Sequence, residues 1–252
     1  MKTYWCSTIL SLALCSAAMA QAPDHSAAPS SPVALKPAVE SAVIPVPRND
    51  GSKARFDVLT DRVKQNEGEH DVIFIGDSIT QGWEGAGKDA WARLNQKYTL
   101  LNLGIGGDKT QHVLWRIDNG HAKNIFGKVT VLMIGTNNSG EDRNSGEEIV
   151  DGVTAVVRKM QEKFPNTKIL LLGIFPRGEK FNAQRGKILQ VNQALQHLAD
   201  NKKVFWLDIG HIFIKPDGSI PKEIMPDFLH LSPRGYEIWA EAIDPKLKEL
   251  LR

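Results

Sequence analysis

The chain has 252 residues, 42% of them hydrophobic, with 31 Lys+Arg against 29 Asp+Glu and a formal charge of +2. That length allows one large domain or two small ones, and the apolar content excludes wholesale disorder. The near-neutral balance argues against a nucleic-acid binder, which needs a concentrated basic face. Two cysteines, Cys6 and Cys15, cannot build a Cys-rich zinc site or a disulfide framework.

The N-terminus reads as an address. Lys2 supplies a positive start, Ile9 to Ala18 is mostly apolar but too short to span a bilayer, and Ala18-Met19-Ala20 fits a small-x-small cleavage pattern. The expectation is a signal peptide over 1–20, a mature chain starting at Gln21, and a secreted or periplasmic protein. Lipidation of Cys15 is disfavoured because Leu14, not a small residue, precedes it. Residues 21–50 hold six of the 13 prolines without apolar periodicity and read as an extended tether. The folded domain is expected over 51–252. No run of 18 apolar residues follows the leader, so no membrane span is expected.

Within the domain, strand and helix patterns alternate. Near-continuous apolar runs at 71–75, 99–103, 129–134, 168–172 and 204–207 suit strands covered on both faces. Helical stripes lie between and after them: Val113, Leu114 and Ile117; Ile149, Val153, Val156, Val157 and Met160; Ile188, Val191, Leu195 and Leu198; Tyr236, Trp239, Ala240, Ile243 and Leu247, where Pro245 should disturb the helix. Short connections then imply right-handed crossovers and an α/β fold, a three-layer α/β/α sandwich on a five-stranded parallel sheet. Ligands in such sheets bind beyond the carboxyl ends of the strands.

Four polar motifs fall at or near those ends. Gly76-Asp77-Ser78 puts a serine at a helix N-terminus, where free N–H groups favour a developing anion; alone, Ser78 reads equally well as a cap. Gly104-Ile105-Gly106-Gly107-Asp108 lets the backbone approach a ligand, or simply turns. Gly135-Thr136-Asn137 offers an amide to an oxyanion, although Asn is also an ordinary turn residue. Asp227-Phe-Leu-His230 can place a carboxylate against an imidazole; alone, it reads as a loop acid and a packing histidine. Together they supply a nucleophile, a base, its orienting acid and oxyanion donors, the inventory for acyl transfer through serine.

This order of motifs resembles the SGNH, or GDSL, hydrolase superfamily. Asn102 to Asp108, His112 to Arg116, Asn119-Gly120, Gly135 to Asn138, Gly173 to Gly178, Val191-Asn192 and Leu229 to Ser232 are similar to the catalytic (alpha) subunits of intracellular platelet-activating-factor acetylhydrolase. The resemblance spans roughly residues 55–250. It implies a flavodoxin-like SGNH hydrolase fold, with Ser78 as nucleophile, His230 as base and Asp227 as its partner. The N–H groups of Ser78 and Gly107 and the side chain of Asn137 would form the oxyanion hole, and Asp77 would be structural. Ile79 stands where the family name has Leu, and the leader sets this chain apart from its intracellular relatives.

Other features carry less. Gly82 to Lys88 begins like a phosphate-binding loop, but Asp89 stands where Ser or Thr should hold magnesium. Trp115 and Trp239 sit on helical stripes; Trp83, nearest Ser78 in sequence, is the tryptophan expected to line the substrate site. His70, His121, His197 and His211 lack metal-ligand spacing, and no metal or cofactor is expected. Glu147 and Glu148 read as a solvated first helical turn.

The expectation is therefore a serine esterase cleaving short, acetyl-type esters of a small molecule or glycan, with carbohydrate O-acetyl groups ahead of a phospholipid acetylhydrolase or lysophospholipase-like activity. A non-catalytic binding module on the same fold is disfavoured because every catalytic position is filled. A metal-dependent hydrolase lacks ligands. Nothing in the sequence fixes an oligomeric state, a homodimer included.

Overall fold

The computed structural model describes Met1 and residues 40–252. The expected leader with its cleavage site and Cys15, and residues 21–39 of the expected tether, lie outside the described residues. Residues 40–50 do not form a free tether. Ala42 is buried, its carbonyl accepts the Thr110 hydroxyl at 2.7 Å, and the Val46 N–H donates to the Gln111 carbonyl at 3.3 Å. Backbone groups and single side chains make these contacts, so the arm shows no apolar period.

From there the chain runs α1 (Lys53–Gln65), β1 (Gly68–Gly76), α2 (Ser78–Gln81), α3 (Lys88–Asn95), β2 (Leu100–Gly104), α4 (Thr110–Arg116), β3 (Ile125–Met133), α5 (Gly146–Lys163), β4 (Lys168–Leu172), α6 (Ala183–Leu195), β5 (Val204–Leu207) and α7 (Pro233–Leu250). The five strands form one sheet in the order β2-β1-β3-β4-β5, and every neighbouring pair is parallel. Strand residues alternate between two cores. Ile73, Ile75, Leu132 and Leu171 face one, with α1, α4, α5 and α6. Val72, Phe74, Val131 and Leu170 face the other, with α3 and α7. Both faces of the sheet are covered, which is why its strands read as apolar runs.

β1, β3 and α7 differ from their sequence patterns, β1 by beginning at Gly68, ahead of its apolar run. β3 begins at Ile125, ahead of the apolar run, and its first residues pair with the start of β1, Gly68 opposite Ile125. There the strand alternates, with Phe126 exposed and Gly127 buried, and a glycine with a solvent-facing phenylalanine hides the period. α7 runs through Pro245 without a break. An internal proline costs about 3 kcal/mol. Burial of Tyr236, Trp239, Ile243, Leu247 and Leu250, at roughly 1.5–3 kcal/mol for a large apolar side chain, exceeds that.

The site's position follows from the topology. The connection leaving β1 passes through α3 on one face, and that leaving β3 passes through α5 on the other. Connections diverging from adjacent strands open a crevice at their carboxyl ends. Ser78 follows β1 and Asn137 follows β3.

Candidate active site

The turn after β1 is tight. A Cβ on Gly76 would meet the Thr80 hydroxyl at 2.1 Å and the Met133 carbonyl at 2.5 Å, so only glycine fits there. Asp77 caps α2, its carboxylate accepting the Ile79 N–H at 3.0 Å. Ser78 begins that helix, and its N–H has no partner within it. Burial pushes the Asp77 carboxyl up to about 7, and the Ile79 N–H only partly opposes this.

His230 arrives on the loop before α7. Its Nε2 lies 2.9 Å from Ser78 Oγ, and its Nδ1 lies 2.6 Å from Asp227 Oδ2. The other Asp227 oxygen accepts the backbone N–H groups of Leu229 at 3.1 Å and His230 at 2.7 Å. Burial works against the Asp227 charge, but the bonds from His230 and Leu229 outweigh it and hold the carboxyl below its ordinary range. A carboxylate on Nδ1 leaves Nε2 free to accept a proton from serine. Phe228 takes a left-handed φ of 59° between the two residues, and its carbonyl accepts the Gly178 N–H at 2.8 Å. The loop ends at Ser232, which caps α7 by accepting the Gly235 N–H, with Pro233 at the first helical position.

The second wall is the loop after β2. Gly107 has φ 79°, and among the described residues its N–H has no acceptor. The Asn137 amide donates one hydrogen to the Asp108 carbonyl at 2.9 Å and keeps a second. Asn138 faces away, into a buried network with Thr110, Gln111 and Asn144. Ser78, Asp227 and His230 are thus brought together, and Asn137 is joined to the Gly107 loop, whose Gly106 would carry a Cβ 3.6 Å from that of Ser78.

Trp83 is a correction. It is wholly buried and packs on Tyr236 at 4.8 Å and Trp239 at 4.7 Å, with Phe74 and Trp91 beside them. The short helix after Ser78 turns it into the core under α7, so sequence proximity to the serine does not make it a lining residue. The Gly82–Lys88 stretch is likewise structural, with Glu84 held by Arg55 at 2.6 Å and by Arg62. His121 is buried and stacks on Phe56 at 4.5 Å.

Three polar residues at the site carry no assigned role in the sequence motifs, although Gln81 flanks the nucleophile and Arg177 falls within the Gly173–Gly178 string. Gln81 accepts the Gly106 N–H at 2.7 Å; its place one helical turn after Ser78 could have marked it. Arg177, half-buried beyond β4, donates to the Thr136 hydroxyl at 3.2 Å and lies within electrostatic range of Asp77 and Asp227. It follows a strand end, the place the topology designates. Arg48 donates to the Gly106 carbonyl from the N-terminal arm, and no local signal marks it.

Ser78, His230 and Asp227 thus stand in one hydrogen-bonded line at the carboxyl edge of a parallel sheet, a geometry suited to acyl transfer through serine. The chain belongs to the GDSL-like lipase/acylhydrolase family, whose model matches residues 74–238, and it is a carboxylic ester hydrolase. It is 41% identical to the rat platelet-activating factor acetylhydrolase IB subunit alpha2 over 184 residues, 73% of this chain and 78% of that one. Identity to the human alpha1 subunit is 39% over the same shares. Among solved structures it is similar to Est24, a carbohydrate acetylesterase from Sinorhizobium meliloti, with a TM-score of 0.57 and 21% identity over 73% of this chain and 100% of that one.

Proposed function

We propose that this chain is an exported serine esterase that removes acetyl-type groups through an acyl-enzyme on Ser78. The observation that carries this reading is the relay itself, Ser78 Oγ to His230 Nε2 at 2.9 Å and His230 Nδ1 to Asp227 at 2.6 Å. Ser78 Oγ attacks the ester carbonyl as its proton passes to His230 Nε2. The N–H groups of Ser78 and Gly107 and the second N–H of Asn137 receive the oxyanion. Collapse of the tetrahedral intermediate expels the alcohol, which takes the proton from His230. Water then repeats the sequence on the acyl-serine and restores the hydroxyl.

For the alcohol we favour O-acetylated carbohydrate. The relay opens to solvent, with the His230 side chain 44% exposed. Beside Gly106 lies an open hollow of about 330 Å³ lined by Arg48, Asp50, Ser52, Arg55, Gln81 and Ile105 among others, whose charged side chains can hydrogen-bond a hydroxyl-rich leaving group. Export, supported by Lys2, the apolar run to Ala18 and Ala18-Met19-Ala20, would place the enzyme among glycans. A phospholipid acetylhydrolase is the second reading, favoured by 41% identity to a platelet-activating-factor acetylhydrolase subunit. Acetate release from acetylated xylo-oligosaccharides, acetylated peptidoglycan fragments and acetylated phospholipids, with Ser78→Ala as blank, separates them. Higher kcat/KM on the sugars supports the first, and higher kcat/KM on the phospholipid replaces it. Mass analysis of the exported chain should find Gln21 at its start; retained Met1 or a lipid on Cys15 would overturn the proposed export route.

A further inference from the structure

We propose that Arg48, on the arm preceding the domain, is a positioning residue that aims the Gly107 N–H at the oxyanion; this deepens the serine-esterase reading and rests on it. The carbonyl of Gly106 and the N–H of Gly107 belong to one peptide unit. A trans peptide is planar, with its C=O and N–H pointing in opposite directions. Whatever holds the carbonyl therefore sets where the N–H points. Arg48 Nη1 donates to that carbonyl.

The surroundings make this contact a fixture. A Cβ on Gly107 would lie 2.8 Å from Arg48 Nη1, so the guanidinium packs directly against the donor residue. The same guanidinium stands 3.5 Å from Asp108 Oδ1 and pairs with Asp50. The other Asp108 oxygen accepts Arg116 Nε at 2.8 Å, and Arg116 donates to the Gly76 carbonyl at 3.1 Å, one residue before Asp77. Gln81 holds the N–H side of Gly106. Glycines at 106 and 107 have no Cβ to limit their rotation, so these contacts supply the rigidity that the chain lacks.

The arm is anchored well enough to act as a lever. The Glu40 carbonyl accepts Asn144 Nδ2 at 3.0 Å, and its carboxylate pairs with Lys109 at 3.0 Å. Thr110 binds the Ala42 carbonyl and Val46 binds Gln111, so the arm is tied along α4 before Arg48 reaches the loop. Arg48 keeps its side chain 17% exposed. A guanidinium can serve the Gly106 carbonyl and both acids together, while an ammonium is a point charge without the planar fork.

The test uses the full mature chain carrying Arg48→Ala, Arg48→Lys or no change, with Ser78→Ala as blank. Steady-state kinetics on p-nitrophenyl acetate are paired with hydrogen exchange over residues 104–109. Arg48→Ala should lower kcat roughly 10- to 100-fold with KM within about twofold, because a misaimed donor costs transition-state binding. Exchange across the loop should rise in the same variant, and Arg48→Lys should fall between the two on both measures. A change confined to KM, a fall in kcat with unaltered loop exchange, or freer exchange with unaltered kcat would each overturn the proposal. If Arg48→Ala does not fold, Arg48→Lys alone decides by the same criteria. Wild-type activity equal to the Ser78→Ala blank would reject the esterase reading instead; loop exchange would then decide whether Arg48 holds the loop.

Discussion

Asp227 exposes more than half of its side chain, and although its partial burial opposes the charge, hydrogen bonds from His230 and Leu229 hold its pKa below the ordinary range. Its carboxylate should therefore stay charged across the working pH range. Asp227→Asn replaces that acceptor and leaves the imidazole in the wrong tautomer; kcat should fall by about 10⁴-fold. Near-normal turnover in the folded variant would sever Asp227 from the relay. Asp77 works in the opposite direction. Burial raises its folded pKa to about 7, against about 3.9 in an unfolded chain. The folded state then holds the extra proton between those values, so this group's favourable contribution is full below about pH 4 and lost as pH rises towards 7. Asp77→Asn keeps an acceptor for the Ile79 N–H and removes the buried charge. It should raise Tm at pH 8 relative to wild type while changing it little at pH 4. Equal shifts at both pH values would contradict this assignment. Ser78, Asp227 and His230 were legible in the sequence because each sits in a short motif at or near a strand or helix end. Arg48 was not: its partner Gly106 is 58 residues away, and a single arginine among prolines carries no local signal.

At the scale of elements, periodicity located what packing dictates and missed what isolated contacts dictate. The strands at 168–172 and 204–207 coincide with their apolar runs because both faces are covered. The start of β3 was hidden by Gly127 and Phe126, and the arm at 40–50 by its lack of any buried stripe. Pro245 predicted a disturbance that α7 does not show, since its helix is held by a stripe of buried rings and aliphatic chains. Trp83 belongs to that same core. Trp83→Ala should cost about 3–5 kcal/mol of stability and lower Tm sharply. KM of the folded fraction should remain near that of wild type, because the ring does not reach the site. A large rise in KM with unchanged Tm would return Trp83 to substrate binding.

For the whole molecule, two covered sheet faces leave one edge for chemistry, and that edge is open. The hollow beside Gly106 is open and is lined by Arg48, Asp50, Arg55 and Gln81 together with Gly51, Ser52, Ile105 and Gly106. A methylene is worth only about 0.8 kcal/mol when buried, so a long acyl chain gains only where many methylenes are covered at once. Acetyl and propionyl p-nitrophenyl esters, compared below their micellar limits, should show higher kcat/KM than octanoyl or palmitoyl esters. A steady climb beyond butyryl would contradict the short-acyl reading.

The most direct measurement is the covalent intermediate. The mature enzyme is mixed with p-nitrophenyl acetate, quenched in acid within the first turnover, and mapped by peptide mass spectrometry beside His230→Ala. Acetyl should appear on the peptide containing Ser78, at the Ser78 hydroxyl, with a p-nitrophenolate burst wherever deacylation is the slower step, and His230→Ala should accumulate it far more slowly. Undiminished turnover with no acetyl on Ser78, or with acetyl at another residue that the Ser78→Ala variant retains, would contradict a serine acyl-enzyme at this site.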